Sequence, residues 1–216
     1  MRIGLIHAVA VAMQPITDAF QRHWPEAEMA HLLDDRLSVD RAKDDDLSPA
    51  MFDRIAALAN YSVANEADGI LYTCSAFGDA IQAVADAKSM PVLKPNEAMF
   101  ESALQQGDNI GMLATFERSV PSMEDEFRQM TAGAGKATRI RTVCVPSAMA
   151  ALQTGNQDGH NKLLAEAAGE LSDCDAVMLA RFSTSVAQPA VSEVLPCPVL
   201  TSPDSAVTKL KAMLQT

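Results

Sequence analysis

The sequence predicts an α/β protein made of two similar lobes, each with a four-stranded parallel sheet flanked by helices. Two observations lead there. Short apolar runs alternate with longer helical patterns along all 216 residues, as βαβ units do. Three of those runs then return, without gaps, at one offset of 107 residues. A single matching block would be weak evidence; three sharing one offset point to internal duplication. The period is too long for a solenoid repeat and suits one small doubly wound domain per copy.

The elements of the first copy follow in order. Ile3-Gly4-Leu5-Ile6-His7 reads as a strand, residues 14–23 as a helix, and residues 29–33 as a second strand. Ser48-Pro49 opens a helix over 48–67, with a cap residue followed by Pro at the first helical position. Residues 69–73 form a near-continuous apolar strand, 79–87 a helix, and Pro91-Val92-Leu93 a short strand. In the second copy Ile110-Gly111-Met112-Leu113-Ala114 repeats the first strand. Asp175-Ala176-Val177-Met178-Leu179 falls under Asp68-Gly69-Ile70-Leu71-Tyr72, Ala190-Val191 under Ala83-Val84, and Pro198-Val199-Leu200 under Pro91-Val92-Leu93. The second strand of this copy, around 139–143, fits only with a small shift. The expected lobes are 1–95 with 205–216, and 96–204, related by a pseudo-two-fold axis. Ligands of such sheets bind beyond the carboxyl ends of the strands, so the expected site is a cleft between the lobes.

Composition narrows the function classes. The net charge of −11 argues against nucleic acid and anionic membranes as partners, since both call for basic patches. No apolar run reaches the roughly 18 residues of a membrane span, and the N-terminus lacks a signal-peptide shape. Four cysteines, none spaced as CxxC, do not make a disulfide scaffold, and a reducing cytoplasm is the expected location. Asp44-Asp45-Asp46 reads as a solvated loop, because nothing around it supplies a metal-ligand spacing. No GxGxxG or Walker loop is present, so no nucleotide cofactor is expected. His23, His31 and His160 show no metal-ligand spacing, and Cys144, Cys174 and Cys197 read as structural. A homodimer is the assembly expected, as for soluble proteins generally.

The residues ending the strands carry the chemistry. Cys74 lies between a strand and a helix N-terminus, where backbone N–H groups and the helix dipole favour a thiolate able to abstract a proton or attack an electrophile. A buried, inert cysteine is the competing interpretation. At the equivalent position of the second copy stands Arg181. It reads as a carboxylate clamp, or as a surface residue paired with an acid. His7 fits an acid or base near neutrality, or a structural histidine. Thr115 fits a substrate hydrogen bond or a helix cap, and Asn96 a substrate contact or the cap of the helix starting near Glu97.

Together, Gly69-Ile70-Leu71-Tyr72-Thr73-Cys74-Ser75-Ala76-Phe77-Gly78-Asp79 resembles the first catalytic-cysteine motif of the aspartate/glutamate racemase superfamily, which includes hydantoin racemase, maleate isomerase and arylmalonate decarboxylase. Ile110-Gly111-Met112-Leu113-Ala114-Thr115 resembles its mid-chain strand-and-threonine motif. The stretch from Asp175 to Arg181, with Pro198-Val199-Leu200, resembles its second-cysteine region. The resemblance spans nearly the whole chain and implies a cofactor-independent isomerase acting on a small anionic or carbonyl substrate. It departs at one position: racemases of this family use two cysteines on opposite faces of the substrate, and here Arg181 stands where the second is expected. Arginine is no base near neutrality. The expectation is therefore a single thiol, Cys74, moving a proton next to a carboxylate or carbonyl, with Arg181 as its charged partner and His7 the first candidate to replace the missing thiol. Ser75, Thr115, Ser183 and Thr184 would hold the substrate's oxygens. The alternatives are a decarboxylase of the arylmalonate type, a cysteine hydrolase, and a binding protein that has lost the chemistry.

Overall fold

In the computed structural model, which describes every residue except Asp44, Asp45, Ala134, Lys136 and Thr216, the chain divides into two compact units. These are Met1–Ala98 with Ala206–Thr216, and Met99–Ser205. The acidic run assigned to a solvated loop lies outside the described residues at positions 44 and 45.

The first unit is built on β1 (Arg2–His7), α1 (Met13–His23), β2 (Glu28–Leu33), α2 (Leu37–Arg41), α3 (Pro49–Ala64), β3 (Gly69–Tyr72), α4 (Gly78–Ala87) and β4 (Val92–Leu93). Its sheet is parallel throughout, in the order β2-β1-β3-β4. All four residues of β3 are buried, which explains its unbroken apolar run: a parallel strand covered on both faces has no polar side. α3 packs onto the sheet through Ile55 and Ala59, which join Ile6, Ile70, Phe77 and Ile81 in one core cluster. The Tyr72 hydroxyl donates to the Ile55 carbonyl at 2.8 Å, tying β3 to α3.

The second unit follows with α5 (Glu97–Gln106), β5 (Asn109–Ala114), α6 (Val120–Gly133), β6 (Arg139–Cys144), α7 (Pro146–Gln153), α8 (Gln157–Ala168), β7 (Ala176–Leu179), α9 (Gln188–Ser192) and β8 (Val199–Thr201), while the closing helix α10 (Ser202–Leu214) belongs to the first unit from Ala206 onward. The sheet order, β6-β5-β7-β8, repeats that of the first. Register repeats as well: Ile3 faces Gly69 as Ile110 faces Ala176, 107 residues on. Only the second strands break the offset, Glu28 corresponding to Arg139 at 111. One face of this sheet packs Met99, Phe100, Met123 and Phe127, with the two phenylalanine rings edge to face at 5.5 Å. The other packs Ala148, Leu164 and Val191.

Gly4 and Gly111 occupy one repeat position. A Cβ on Gly4 would sit 2.8 Å from Ser62 Cβ, and one on Gly111 would sit 3.0 Å from Val177 Cγ2. Both are glycine because a neighbour presses against the strand there. The helix expected over 48–67 is shorter, ending at Ala64, where Asn65 leaves the helical region and Glu66 turns to φ 56°. Ser48 precedes it in extended conformation, but its side chain makes no capping bond.

Candidate active site

At the carboxyl edge of the first sheet, β1 ends in His7 and β3 leads into Thr73 and Cys74. His7 is fully buried. Its Nδ1 meets Thr73 Oγ1 at 2.9 Å and its Nε2 meets His31 Nδ1 at 2.9 Å, so both ring nitrogens are occupied. Burial, and after it the charge of His31, push the His7 pKa down to about 4, which leaves the ring neutral at physiological pH. Cys74 is half-buried and extended (φ −129°, ψ 123°), directly ahead of the single helical turn Ser75–Phe77 and α4. Ser75 is exposed. Asn96 is buried just ahead of α5.

The second sheet's edge differs in kind. Thr115 follows β5 with 1% of its surface exposed, and Thr184 sits fully buried in the turn Phe182–Ala187 after β7. Neither hydroxyl has a hydrogen-bond partner among the described residues. Thr115 is therefore not a helix cap: the cap position before the turn Glu117–Ser119 belongs to Phe116. Arg181, between β7 and that buried turn, has φ 75° and ψ 150°, a region that side-chain-bearing residues rarely enter. It forms no ion pair with any described residue; its guanidinium lies 5.3 Å from the centroid of the exposed Phe116 ring. The reading of Arg181 as a surface residue paired with an acid has no support in this geometry. Ser183 is buried beside Thr184.

The duplication supplies an internal comparison. At the offset of 107, Thr115 corresponds to Ala8, Thr184 to Phe77 and Arg181 to Cys74. Ala8 and Phe77 are buried at 2% and 1% exposure, so in the first copy these positions are filled by apolar packing alone. Cys74 holds its position without strain, while Arg181 does not. The second copy has placed two unsatisfied hydroxyls and a strained arginine where the first needs none.

The other cysteines lie elsewhere. Cys144 ends β6, where burial and the nearby Glu117 charge push its thiol up. Cys174 is buried, and burial likewise raises Cys197. Among the described residues no group of three His, Cys, Asp or Glu could hold a metal ion, and no helix is long and apolar enough to cross a membrane.

Sequence reasoning reached Thr115, Ser183 and Thr184 through their place after strands, but not Thr73 or His31, whose bonds to His7 depend on strand register. It also missed a network around α2. There Arg54 of α3 makes a two-point contact with Asp34 (2.7 and 2.6 Å) and a third with Asp40 (2.8 Å). Ser38 and Arg41 of α2 donate to the carbonyls of Ala8 and Ala76, each at 3.2 Å.

No curated protein sequence matches the chain. Its fold is similar to that of the allantoin racemase from Pseudomonas fluorescens (TM-score 0.73, 14% identity, covering 100% of this chain and 91% of that one). It is similar too to the aspartate racemase from Picrophilus torridus (TM-score 0.73, 14% identity, 99% and 94%). A third similar structure is the glutamate racemase from Francisella tularensis in complex with D-glutamate (TM-score 0.69, 16% identity, 99% and 81%). The Asp/Glu/Hydantoin racemase family matches residues 13–173, a stretch that includes Cys74, Asn96 and Thr115 and ends before Arg181. With that match across most of its length, the chain belongs to the Asp/Glu/Hydantoin racemase family and is a racemase-type isomerase.

Proposed function

We propose that this enzyme moves a proton at the carbon next to a carboxylate or carbonyl of a small substrate, with Cys74 as its single acid–base thiol and no cofactor. Arg181 takes the substrate's carboxylate, for which its forked donors are suited. Thr115, Ser183 and Thr184 donate to the oxygen on which charge develops as the proton leaves, preorganised as an oxyanion site must be. Ser75 and Asn96 are the candidates for substrate contact in the first copy.

The observation that carries this reading is the asymmetry between the copies. Apolar side chains fill two rim positions of the first copy, and threonines without partners fill the same positions of the second. Such groups call for an explanation, and a ligand that satisfies them is the one this reading adopts. Arg181 sits beside them in a strained conformation with no ion pair to any described acid, which supports an incoming anion. His7 fits a positioning role better than that of a second acid or base. Its ring is buried, neutral and bonded at both nitrogens, and through Thr73 it braces the residue next to Cys74.

A single thiol reaches one face of its substrate. It therefore suits one-sided enolisation, or decarboxylation followed by protonation from that face, better than inversion. The test is incubation in D₂O with a panel of amino acids, hydantoins, malonates and hydroxy acids, followed by chiral separation and mass spectrometry. The expected result is α-deuteration, or loss of CO₂ with deuterium gained, without inversion and absent from Cys74→Ala. Equal exchange by Cys74→Ala would remove Cys74 from the mechanism. Inversion at a rate matching exchange would require a second group on the opposite face and would end the single-thiol reading.

A further inference from the structure

We infer that α2 is a clamp for the Cys74 loop, with Arg54 its anchor and Arg41 and Ser38 its two contacts. The inference rests on the reading of Cys74 as the reactive thiol. Helix α2 has only five residues, too few to be stable by itself. Leu37 buries in the core at its start, and Arg54, which projects from the sixteen-residue α3, binds carboxylates at both ends of the segment: Asp34, after β2, and Asp40, within α2. The three side chains are only 20–32% exposed, so the pairing is partly shielded from water. Hydrogen bonds from Lys43 and then Arg54 hold the Asp40 carboxyl at about 2, which keeps it charged throughout the physiological range. The Asp34 amide also donates to the His7 carbonyl at 3.0 Å, fixing the near end of the segment to β1.

From that anchored helix two side chains reach loops leaving neighbouring strands. Ser38 Oγ donates to the carbonyl of Ala8, one residue beyond β1. Arg41 Nε donates to the carbonyl of Ala76, two residues beyond Cys74 and inside the turn that leads to α4. β1 and β3 are adjacent in the sheet, so the two bonds hold loops on either side of one strand junction. The base beneath is tied to the same helix, because Tyr72, two residues before Cys74, is itself bonded to α3 at Ile55. The chain thus meets α3 on both sides of Cys74: through Tyr72 ahead of it, and through Arg41, α2 and Arg54 behind it. Arg41 and Arg54 are positioning residues in this arrangement, acting on the thiol through the backbone that carries it.

The test uses the full chain and the variants Arg41→Met, Arg41→Lys and Arg54→Gln, with thermal melts to confirm folding. Hydrogen exchange over residues 74–78 reads the clamp directly. Exchange is expected to rise about tenfold in Arg54→Gln, which gives up the Asp40 contact, and in Arg41→Met, which has no donor, by local opening, and to stay near wild type in Arg41→Lys, which keeps a donor. The Arg41→Met/Arg54→Gln pair should exchange no faster than the worse single variant, since both lie on one path. Iodoacetamide alkylation of Cys74 across pH, followed by peptide mass spectrometry, reads the consequence. Its midpoint should move upward in Arg41→Met and Arg54→Gln and return toward wild type in Arg41→Lys. Unchanged exchange over 74–78 in Arg54→Gln would overturn the clamp. Faster exchange with an unmoved alkylation midpoint would reduce it to a structural tie and overturn the positioning role. If wild-type Cys74 reacts no faster than the other three cysteines, the functional reading fails, while the exchange arm still decides the clamp.

Discussion

Thr115→Val should make the protein more stable and less active. Thr115 is 1% exposed, and its hydroxyl is without a partner among the described residues. Burying an unpaired hydroxyl costs roughly 1–3 kcal/mol by protein mutational data. Valine has nearly the same shape, so the exchange removes that cost without opening a cavity, and its second methyl adds a small transfer gain. The expected change is about 1–2 kcal/mol in favour of the fold. For a chain of this length that raises Tm by about 3–6 °C. The assay is urea unfolding followed by circular dichroism, with the slope m compared between wild type and variant so that an altered denatured state is recognised. Activity is followed in the same preparations by deuterium exchange into substrate. Destabilisation by 1 kcal/mol or more would mean that the hydroxyl has a partner in the free fold, and the orphan argument would collapse. A gain in stability with full activity would keep the orphan and remove Thr115 from the site.

Three further outcomes follow from the same geometry. His7 has a folded pKa of about 4 against an ordinary value near 6.5, so stability is intact above pH 6.5 and falls as pH drops through about 4; at about 1.4 kcal/mol per pH unit the loss is bounded near 3 kcal/mol. Urea unfolding at pH 7, 5 and 4 should show this slope, and a flat profile would refute it; His7→Asn should flatten the profile. Arg181→Gly should relieve the positive φ and stabilise by about 1 kcal/mol or more while abolishing turnover, read from a melt and an exchange assay on one sample. Gly4→Ala should destabilise by about 1–3 kcal/mol, because its Cβ would press Ser62 at 2.8 Å, whereas Gly169→Ala, with nothing within 4 Å, should be neutral or slightly stabilising; equal melts for the two would refute the close-approach argument.

What the sequence revealed and what it hid divide along a physical line. Strands such as β3 and β7 are buried on both faces, and their unbroken apolar runs show it. β2 and β6 are edge strands with exposed and half-exposed residues, so their patterns are weaker, and the repeat offset slips by four residues just there. α2 has no periodicity to detect, since in five residues it buries Leu37 alone and otherwise relies on ion pairs between Arg54, Asp34 and Asp40. At the candidate site the repeat made Cys74 and Arg181 comparable from sequence alone. Whether a threonine hydroxyl is satisfied depends on every neighbour in space, so Thr115 kept two readings until its surroundings were known. His7 behaved likewise: its place at a strand end was visible, but its bonds to Thr73 and His31 arise only from sheet register.

The two rims are best understood as one ancestral edge put to two uses. In the first copy, His7 is bonded to Thr73, Ala8 and Phe77 pack without polar atoms, and Cys74 is extended and unstrained. In the second, Thr115 and Thr184 stand unsatisfied and Arg181 is held at φ 75°. Folding alone favours the first arrangement, since each departure in the second weakens the native state by about 1–3 kcal/mol. A ligand that hydrogen-bonds both hydroxyls and neutralises the guanidinium reverses this, because binding to the native form alone stabilises it by RT ln(1 + [L]/Kd). Ligand and orphan removal must then be non-additive. A saturating substrate or product should raise the wild-type Tm by several degrees and the Thr115→Val/Thr184→Val Tm by much less, although the unliganded variant is the more stable of the two. Equal ligand shifts in both proteins would mean that the hydroxyls are orphans for some reason other than binding.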